Sequence, residues 1–352
     1  MNTISSVLDQ MTVESSLCEV LEDHTLRCLA CAHRCLLREG RRGICGVRFN
    51  RGGKLHVPFG YVAGAQVDPI EKKPFDHFLP GSQVLTFGML GCNFHCSFCQ
   101  NWHTSQALRD PAAAGSVEMV GKITAGDLVK AAVKNGAKAI ASSYNEPLIS
   151  VEWAVEIFKL AHEAGLRTAC VSNGYASPEV LSFLQPWLDG YKIDLKSMQD
   201  KRYREMGGVL AHVLETIQRA HEVGLWVEVV TLVIPGFNDS NEELWEISRF
   251  LRSVSEDIPW HVTAYHPDYK MNDAPATPSK TLMRAAEIGQ EAGLRYVYAG
   301  NLPGRVGSLE NTYCPKCSEL LVDRRGYWVV ENRIDEAGKC PKCGTPIPGI
   351  WD

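Results

Sequence analysis

Three cysteines stand in the run Gly91-Cys92-Asn93-Phe94-His95-Cys96-Ser97-Phe98-Cys99-Gln100-Asn101-Trp102, spaced Cys-x3-Cys-x2-Cys. They follow the apolar stretch Gln83 to Leu90, which reads as a buried strand ending at a glycine. Three thiolates on one short loop can hold three irons of a [4Fe-4S] cluster, whereas full cysteine ligation takes a fourth. With three, one iron stays open to a small molecule, and an electron carrier becomes a catalyst. A zinc site on the same cysteines would take His95 or His103 as its fourth ligand, and spacing alone leaves that alternative open.

Eight more of the thirteen cysteines form two further groups. Cys314-x2-Cys317 and Cys340-x2-Cys343 are knuckles with zinc-ribbon spacing, four thiolates and no open position, hence structural; a rubredoxin-like single iron is the alternative. Gly326 to Val330 between them reads as a strand. Cys28, Cys31, Cys35 and Cys45, flanked by Arg41, Arg42 and Arg48, could close around zinc or hold a second cluster. Cys18 and Cys170 stand alone and read as small buried apolar groups.

The elements that must position these groups alternate. Beyond the three-cysteine loop, helical periodicity over 124–134, 148–164, 209–223, 241–254 and 278–292, and a helix starting at Ser177-Pro178, separate strands near 137–142, 167–171, 191–195, 225–234, 260–265 and 295–298. Such βα units predict an α/β fold with a parallel sheet, either a partial or full (β/α) barrel or an open doubly wound sheet, with the site at the strands' carboxyl ends. The expected division is a Cys-rich segment with connector over 1–80, the α/β domain over 81–305 and a ribbon over 306–352. The stretch Asp68 to Gly81, rich in proline and charge, is a solvated connector or a loop covering the site with Glu71, Lys72 or Lys73.

Composition excludes several classes. The 352 residues are 45% hydrophobic and 22% charged, as in a globular protein. A net charge of −5 and a pI near 6.1 argue against nucleic acid as the main partner. No apolar run is long enough to span a membrane, and Met1 to Ser6 lacks the pattern of a signal peptide. These features, with cysteines grouped as for metals, lead to the expectation of a cytoplasmic protein.

The expected strand ends carry polar groups: Glu146 in Ser142 to Pro147, Asn173 in Ser172-Asn173-Gly174-Tyr175, and Asp194 with Lys196 on one strand face. Read alone, these are helix caps, turns or a charge pair as readily as ligand contacts.

The motif with Phe98 as its aromatic, Cys92-x3-Cys96-x-Phe98-Cys99, resembles that of the radical S-adenosylmethionine (SAM) enzymes. The resemblance implies a [4Fe-4S] cluster on Cys92, Cys96 and Cys99 and SAM as cofactor. It puts Glu146 where a Gly-Gly-Glu motif meets the SAM amino group, although Tyr144-Asn145 replaces the glycines. Asn173, Asp194 and Lys196 match SAM contacts of the pyruvate formate-lyase activating enzymes. Ile234 in Ile234-Pro235-Gly236 would flank the adenine, and His266 matches a histidine near SAM.

Over nearly the whole chain the sequence is similar to radical SAM enzymes of the AmmeMemoRadiSam system. The carrying segments include Asp68-Pro69-Ile70-Glu71-Lys72-Lys73-Pro74, Cys99-Gln100-Asn101-Trp102, Tyr144-Asn145-Glu146-Pro147, His266 to Met271 and Tyr298-Ala299-Gly300-Asn301. This implies Memo-type and AMMECR-type partners and a flavodoxin or ferredoxin as electron donor.

The expected function is reductive SAM cleavage to a 5′-deoxyadenosyl radical that abstracts hydrogen from a substrate. The alternatives are an activating enzyme that installs a glycyl radical on a partner protein, and a structural zinc-binding interaction protein.

Overall fold

The computed structural model describes residues 4–352; the first three residues of the stretch read for a targeting signal lie outside it. Eight strands form the central sheet: β1 (Gly64–Pro69), β2 (Gln83–Gly88), β3 (Ala139–Ser142), β4 (Arg167–Ser172), β5 (Gly190–Asp194), β6 (Trp226–Val233), β7 (Trp260–Ala264) and β8 (Val297–Gly300). They lie side by side in chain order. Strands β2 to β8 run parallel, and β1 is an antiparallel edge against β2.

Helices α1 (Ala125–Lys134), α2 (Val151–Glu163), α3 (Pro178–Leu184), α4 (Leu210–Glu222), α5 (Asn241–Val254) and α6 (Ser279–Glu291) make the crossovers. Capping side chains start several: Thr124 accepts from the Asp127 amide (3.1 Å), Ser177 from Val180 (3.1 Å) and Ser240 from Glu243 (3.2 Å). The expected series is present, with β1 the addition.

Two of the expected architectures are corrected. A doubly wound sheet needs a reversal of strand order, and among the described residues there is none. A full barrel needs its end strands to pair, and β1 and β8 remain edges. With right-handed crossovers and unreversed order, all helices fall on one face. Alternation along the strands then divides the residues. Cys170, Tyr191, Ile193, Val227, Val229 and Val262 join the large apolar core shared with the helices. Val171, Lys192, Asp194, Glu228, Val230, Leu232, His261 and Thr263 take the other face.

That second face is plugged at the strands' amino ends. Phe75 and Phe78 pack against Val84, Ala139, Ala141 and Ala169, whose small side chains make room for the rings. At Gly190 a Cβ would come within 2.8 Å of the Phe78 ring, so a larger residue would displace the plug. Asp68 to Gly81 is therefore packed, not a solvated connector: Ile70, Phe75 and Phe78 are fully buried. The chain's last residues complete the plug: the Leu79 amide donates to the Ile350 carbonyl (2.6 Å), and the Ile350 amide donates to the His77 carbonyl (2.8 Å).

The last module is a three-stranded antiparallel sheet of Thr312–Tyr313, Leu320–Arg325 and Trp328–Asn332. The expected strand starts two residues late, because Gly326 and Tyr327 make the turn before it. A buried polar chain fastens this module to the main sheet. Arg324 donates to Thr312 (2.8 Å), Thr312 meets Tyr298 (2.8 Å), Tyr298 meets His77 Nε2 (2.6 Å), and His77 Nδ1 meets the Pro348 carbonyl (2.6 Å). The carbonyl only accepts, so Nδ1 carries the proton, Nε2 accepts from Tyr298, and Thr312 donates to Tyr298. Burial pushes His77 down to about 4, which keeps the imidazole neutral, as this chain requires. Among the described residues, no helix is long and apolar enough to cross a membrane.

Candidate functional site

Strand β2 delivers the chain to the three-cysteine loop at Gly88, where a Cβ would meet the Ser143 carbonyl at 2.6 Å. Cys96 is buried, and Cys92 and Cys99 are largely so. Cys92 Sγ accepts from the Phe94 amide (3.4 Å), and the Ser105 hydroxyl lies 3.2 Å from Cys99 Sγ. Asn173 Nδ2 stands 4.0 Å from Cys92 Sγ. Burial pushes the Cys96 thiol up to about 12, against the pull of Lys196. Three sheltered thiols ringed by donors ionise readily only on a bound metal centre, so the residues fit a cluster held by three thiolates.

Cys96, Phe98 and Cys99 line a cavity of about 390 Å³ at the carboxyl ends of the strands. Its floor is the second face of the sheet, with Val171, Lys192, Asp194, Val230, Leu232 and Thr263. Asp194 is paired with both Lys192 and Lys196 (2.8 Å to the latter). Despite burial, these two ammonium groups hold the Asp194 carboxyl far below the usual carboxylate range, and Asp194 in turn raises Lys196. Phe98 stands edge-on to Phe237, with ring centres 5.4 Å apart.

The other expected residues are close by without lining the cavity. Glu146 is buried beside Cys92 and accepts from the Ser172 hydroxyl (2.7 Å), the Asn173 amide (2.8 Å) and the Leu148 amide (3.1 Å). Burial lifts its carboxyl to about 7, and no cation pairs with it among the described residues. Asn173 Nδ2 donates to Asn93 Oδ1 (2.7 Å). Ile234 is wholly buried, its amide donating to Asn238 (2.7 Å). His266 is exposed at the rim, 3.1 Å from Gln100.

Tyr144 was legible only as a departure from a glycine motif. It takes the left-handed backbone conformation (φ 67°) that glycine takes freely, and this residue strain sits at the cavity wall. Its ring carries Lys73 at 4.8 Å, and Lys73 pairs with Asp68 (3.0 Å). Lys72, Lys73, Lys192, Asn301 and Tyr327 also line the cavity. Of these the sequence signalled Lys72 and Lys73, and Asn301 as the end of a matching segment; Glu71 instead turns away to the Gly81 amide (2.7 Å) and Arg324. Lys192 could have been found from its place two residues before Asp194.

The C-terminal thiols Cys314, Cys317, Cys340 and Cys343 lie within 4.8 Å of one another, with sulfur pairs at 3.5 and 3.7 Å. A tetrahedral zinc bound at about 2.3 Å needs sulfurs at about that separation, so these residues fit one closed metal site.

The radical SAM superfamily pattern matches residues 87–251. An uncharacterised protein of Methanocaldococcus jannaschii is 37% identical over 95% of this chain and 98% of its own length. A pyruvate formate-lyase-activating enzyme of Clostridium pasteurianum is 25% identical over 56% of this chain and 85% of its own. A solved domain of a pyruvate formate-lyase-activating enzyme from Bacteroides vulgatus is matched over its whole length by 47% of this chain, at 19% identity and a TM-score of 0.42. The chain belongs to the radical SAM superfamily, and it is an enzyme with activating-enzyme-like relatives.

Proposed function

We propose that the protein cleaves SAM reductively and uses the resulting radical to take hydrogen from a substrate in the 390 Å³ cavity. The observation that carries this is the opening of the three-thiol loop onto a cavity whose wall holds the Lys192–Asp194–Lys196 charge cluster. When bound, the [4Fe-4S] cluster supplies the electron that breaks the sulfur–carbon bond, giving methionine and the 5′-deoxyadenosyl radical.

The chain's own residues bind and orient. Glu146, a buried carboxylate without a cation, takes the α-ammonium of SAM; Lys196 takes its carboxylate, and Asp194 and Asn173 its hydroxyls. Each such charge-assisted contact contributes about 1.5–3 kcal/mol. Ile234 and its backbone flank the adenine, and His266 with Gln100 forms the outer rim. Phe98 and Phe237 close one side against water. Lys72 and Lys73 bring positive charge to the substrate side, which suits a substrate with an anionic group.

A small-molecule substrate and a glycyl radical installed on a partner protein are two versions of this reading; the activating-enzyme relatives favour asking about the second. A flavodoxin or ferredoxin donates the electron, Memo-type and AMMECR-type proteins act alongside, and the ribbon holds zinc. The test is low-temperature electron paramagnetic resonance of anaerobically reconstituted, dithionite-reduced protein. Adding SAM shifts the cluster signal if SAM binds the open iron. An unchanged signal would defeat the reading.

A further inference from the structure

Four thiols outside the cavity remain unexplained. Cys28 ends the strand Leu26–Cys28, and its amide bonds the Cys35 carbonyl (3.0 Å), closing a turn that carries Cys31. Cys45 follows the Gly43 bend, where the Ile44 amide points at Cys35 Sγ (3.5 Å). Cys28, Cys31 and Cys45 are buried, Cys35 is half-buried, and all are free. The amides of Val47 and Arg48 point at Cys45, and that of His33 at Cys31. N–H donors placed in this way suit sulfurs whose charge is held by a bound metal.

Two further donors are buried around them without an acceptor among the described residues: Arg48 Nε and Asn93 Nδ2. The other nitrogens of Arg48 are taken by Glu152 (2.7 Å each) and the Ile149 carbonyl (3.2 Å), and its guanidinium faces Cys28 and Cys45. Asn93 is wholly buried and its amide faces Cys31. A buried donor left unpaired costs about 1–3 kcal/mol. Negatively charged, metal-bound sulfurs accept from both, whereas neutral thiols are poor acceptors.

The spacing distinguishes the metal. Among the described residues, only the ribbon thiols converge to within 4.8 Å, as a single tetrahedral ion requires. Among the described residues, neither the N-terminal group nor the Cys92–Cys99 loop brings three thiols within that distance, and a four-iron cube holds its ligands further apart than one ion does.

The group also abuts the catalytic loop. Asn93 follows Cys92 directly, faces Cys31 through Nδ2 and accepts from Asn173 through Oδ1. His33 meets the Asn93 carbonyl (3.0 Å), and at Gly91 a Cβ would lie 3.0 Å from the Cys45 carbonyl.

We propose that Cys28, Cys31, Cys35 and Cys45 hold a second [4Fe-4S] cluster, which passes single electrons by way of Asn93 to the cluster on Cys92, Cys96 and Cys99. One electron leaves a reduced one-electron carrier protein, such as a flavodoxin, which is oxidised by one. It enters the second cluster and moves on to the first, with no bond made and no proton moved. The relay rests on the SAM-cleavage reading, whereas the metal site stands without it.

The test uses full-length protein reconstituted anaerobically with iron and sulfide. The triple variant Cys92→Ala/Cys96→Ala/Cys99→Ala retains about half the iron, with a reduced-cluster signal that SAM does not alter. An iron-free triple variant, with zinc at both four-cysteine sites, overturns the proposal. The double variant Cys31→Ala/Cys45→Ala loses the other half of the iron, and SAM cleavage driven by reduced flavodoxin falls by roughly tenfold or more. Full iron or an undiminished flavodoxin-driven rate in that variant overturns the relay. Wild-type protein that carries two clusters and makes no 5′-deoxyadenosine would refute the SAM-cleavage reading and leave the second cluster standing.

Discussion

The loop of Cys92, Cys96 and Cys99 and the ribbon of Cys314, Cys317, Cys340 and Cys343 are both cysteine sites on short turns, yet they are built for opposite ends. The ribbon brings four thiols within 4.8 Å and leaves no position open. It shares a small apolar core with Tyr296 and Tyr298 at the sheet edge. The loop offers three thiols, and the space where a fourth would stand opens on a cavity walled by Asp194 and Lys196. A closed ligand set contributes folding energy; an open one contributes chemistry.

The comparison predicts unequal responses to mutation. The largest belongs to the loop. Cys96→Ala removes one of three ligands, so 5′-deoxyadenosine formation falls to background while ribbon zinc stays bound; product chromatography beside metal analysis checks this.

Next comes the ribbon. A structural zinc contributes on the order of 10 kcal/mol to folding in isolated finger peptides, so Cys340→Ser/Cys343→Ser releases its metal and unfolds the module. Because Ile350 and Arg324 brace the plug and Tyr327 lines the cavity, the loss reaches the substrate side first. Cluster iron persists; its disappearance along with the zinc would erase the distinction between the two sites.

The seam between the ribbon and the main sheet is expected to respond to pH. His77 is held near 4 when folded, against about 6.5 unfolded. The unfolded chain therefore binds the extra proton between those values, and stability is full above about 6.5 and is lost as pH falls toward 4, by up to about 3 kcal/mol. Denaturant titrations at pH 7 and 4.5 show this slope, and His77→Gln flattens it.

The smallest effects fall on single SAM contacts. Glu146→Gln and Lys196→Ala each remove about 1.5–3 kcal/mol, or about ten- to a hundredfold in SAM affinity, with iron content unchanged. Affinity within twofold of wild type in both would show that these residues do not hold SAM.

Much of this was legible because local chemistry decided it. The three cysteine groups, the capping residues Thr124 and Ser177, and the βα alternation are short-range signals. Asp194 and Lys196 stood out as a charged pair on one strand face and as matches to activating-enzyme positions, and both line the cavity. What escaped was long-range. Nothing local announces that Phe75 and Phe78 fill a space left by Ala139, Ala141 and Gly190, or that Cys18 lies opposite Cys28 in strand register. The strand Gly64–Pro69 pairs antiparallel at the edge of a parallel sheet, against the pattern of its neighbours. Tyr144 looked like a defect in a glycine motif, because the backbone conformation that it shares with glycine is invisible in the residue name.

The central claim is that the open three-thiol site breaks SAM. Wild-type protein, reconstituted under anaerobic conditions and reduced, is incubated with SAM, and 5′-deoxyadenosine and methionine are quantified against time. The account predicts that both appear together in equal amounts, even without substrate. Intact SAM after prolonged incubation of protein carrying its full cluster would contradict it.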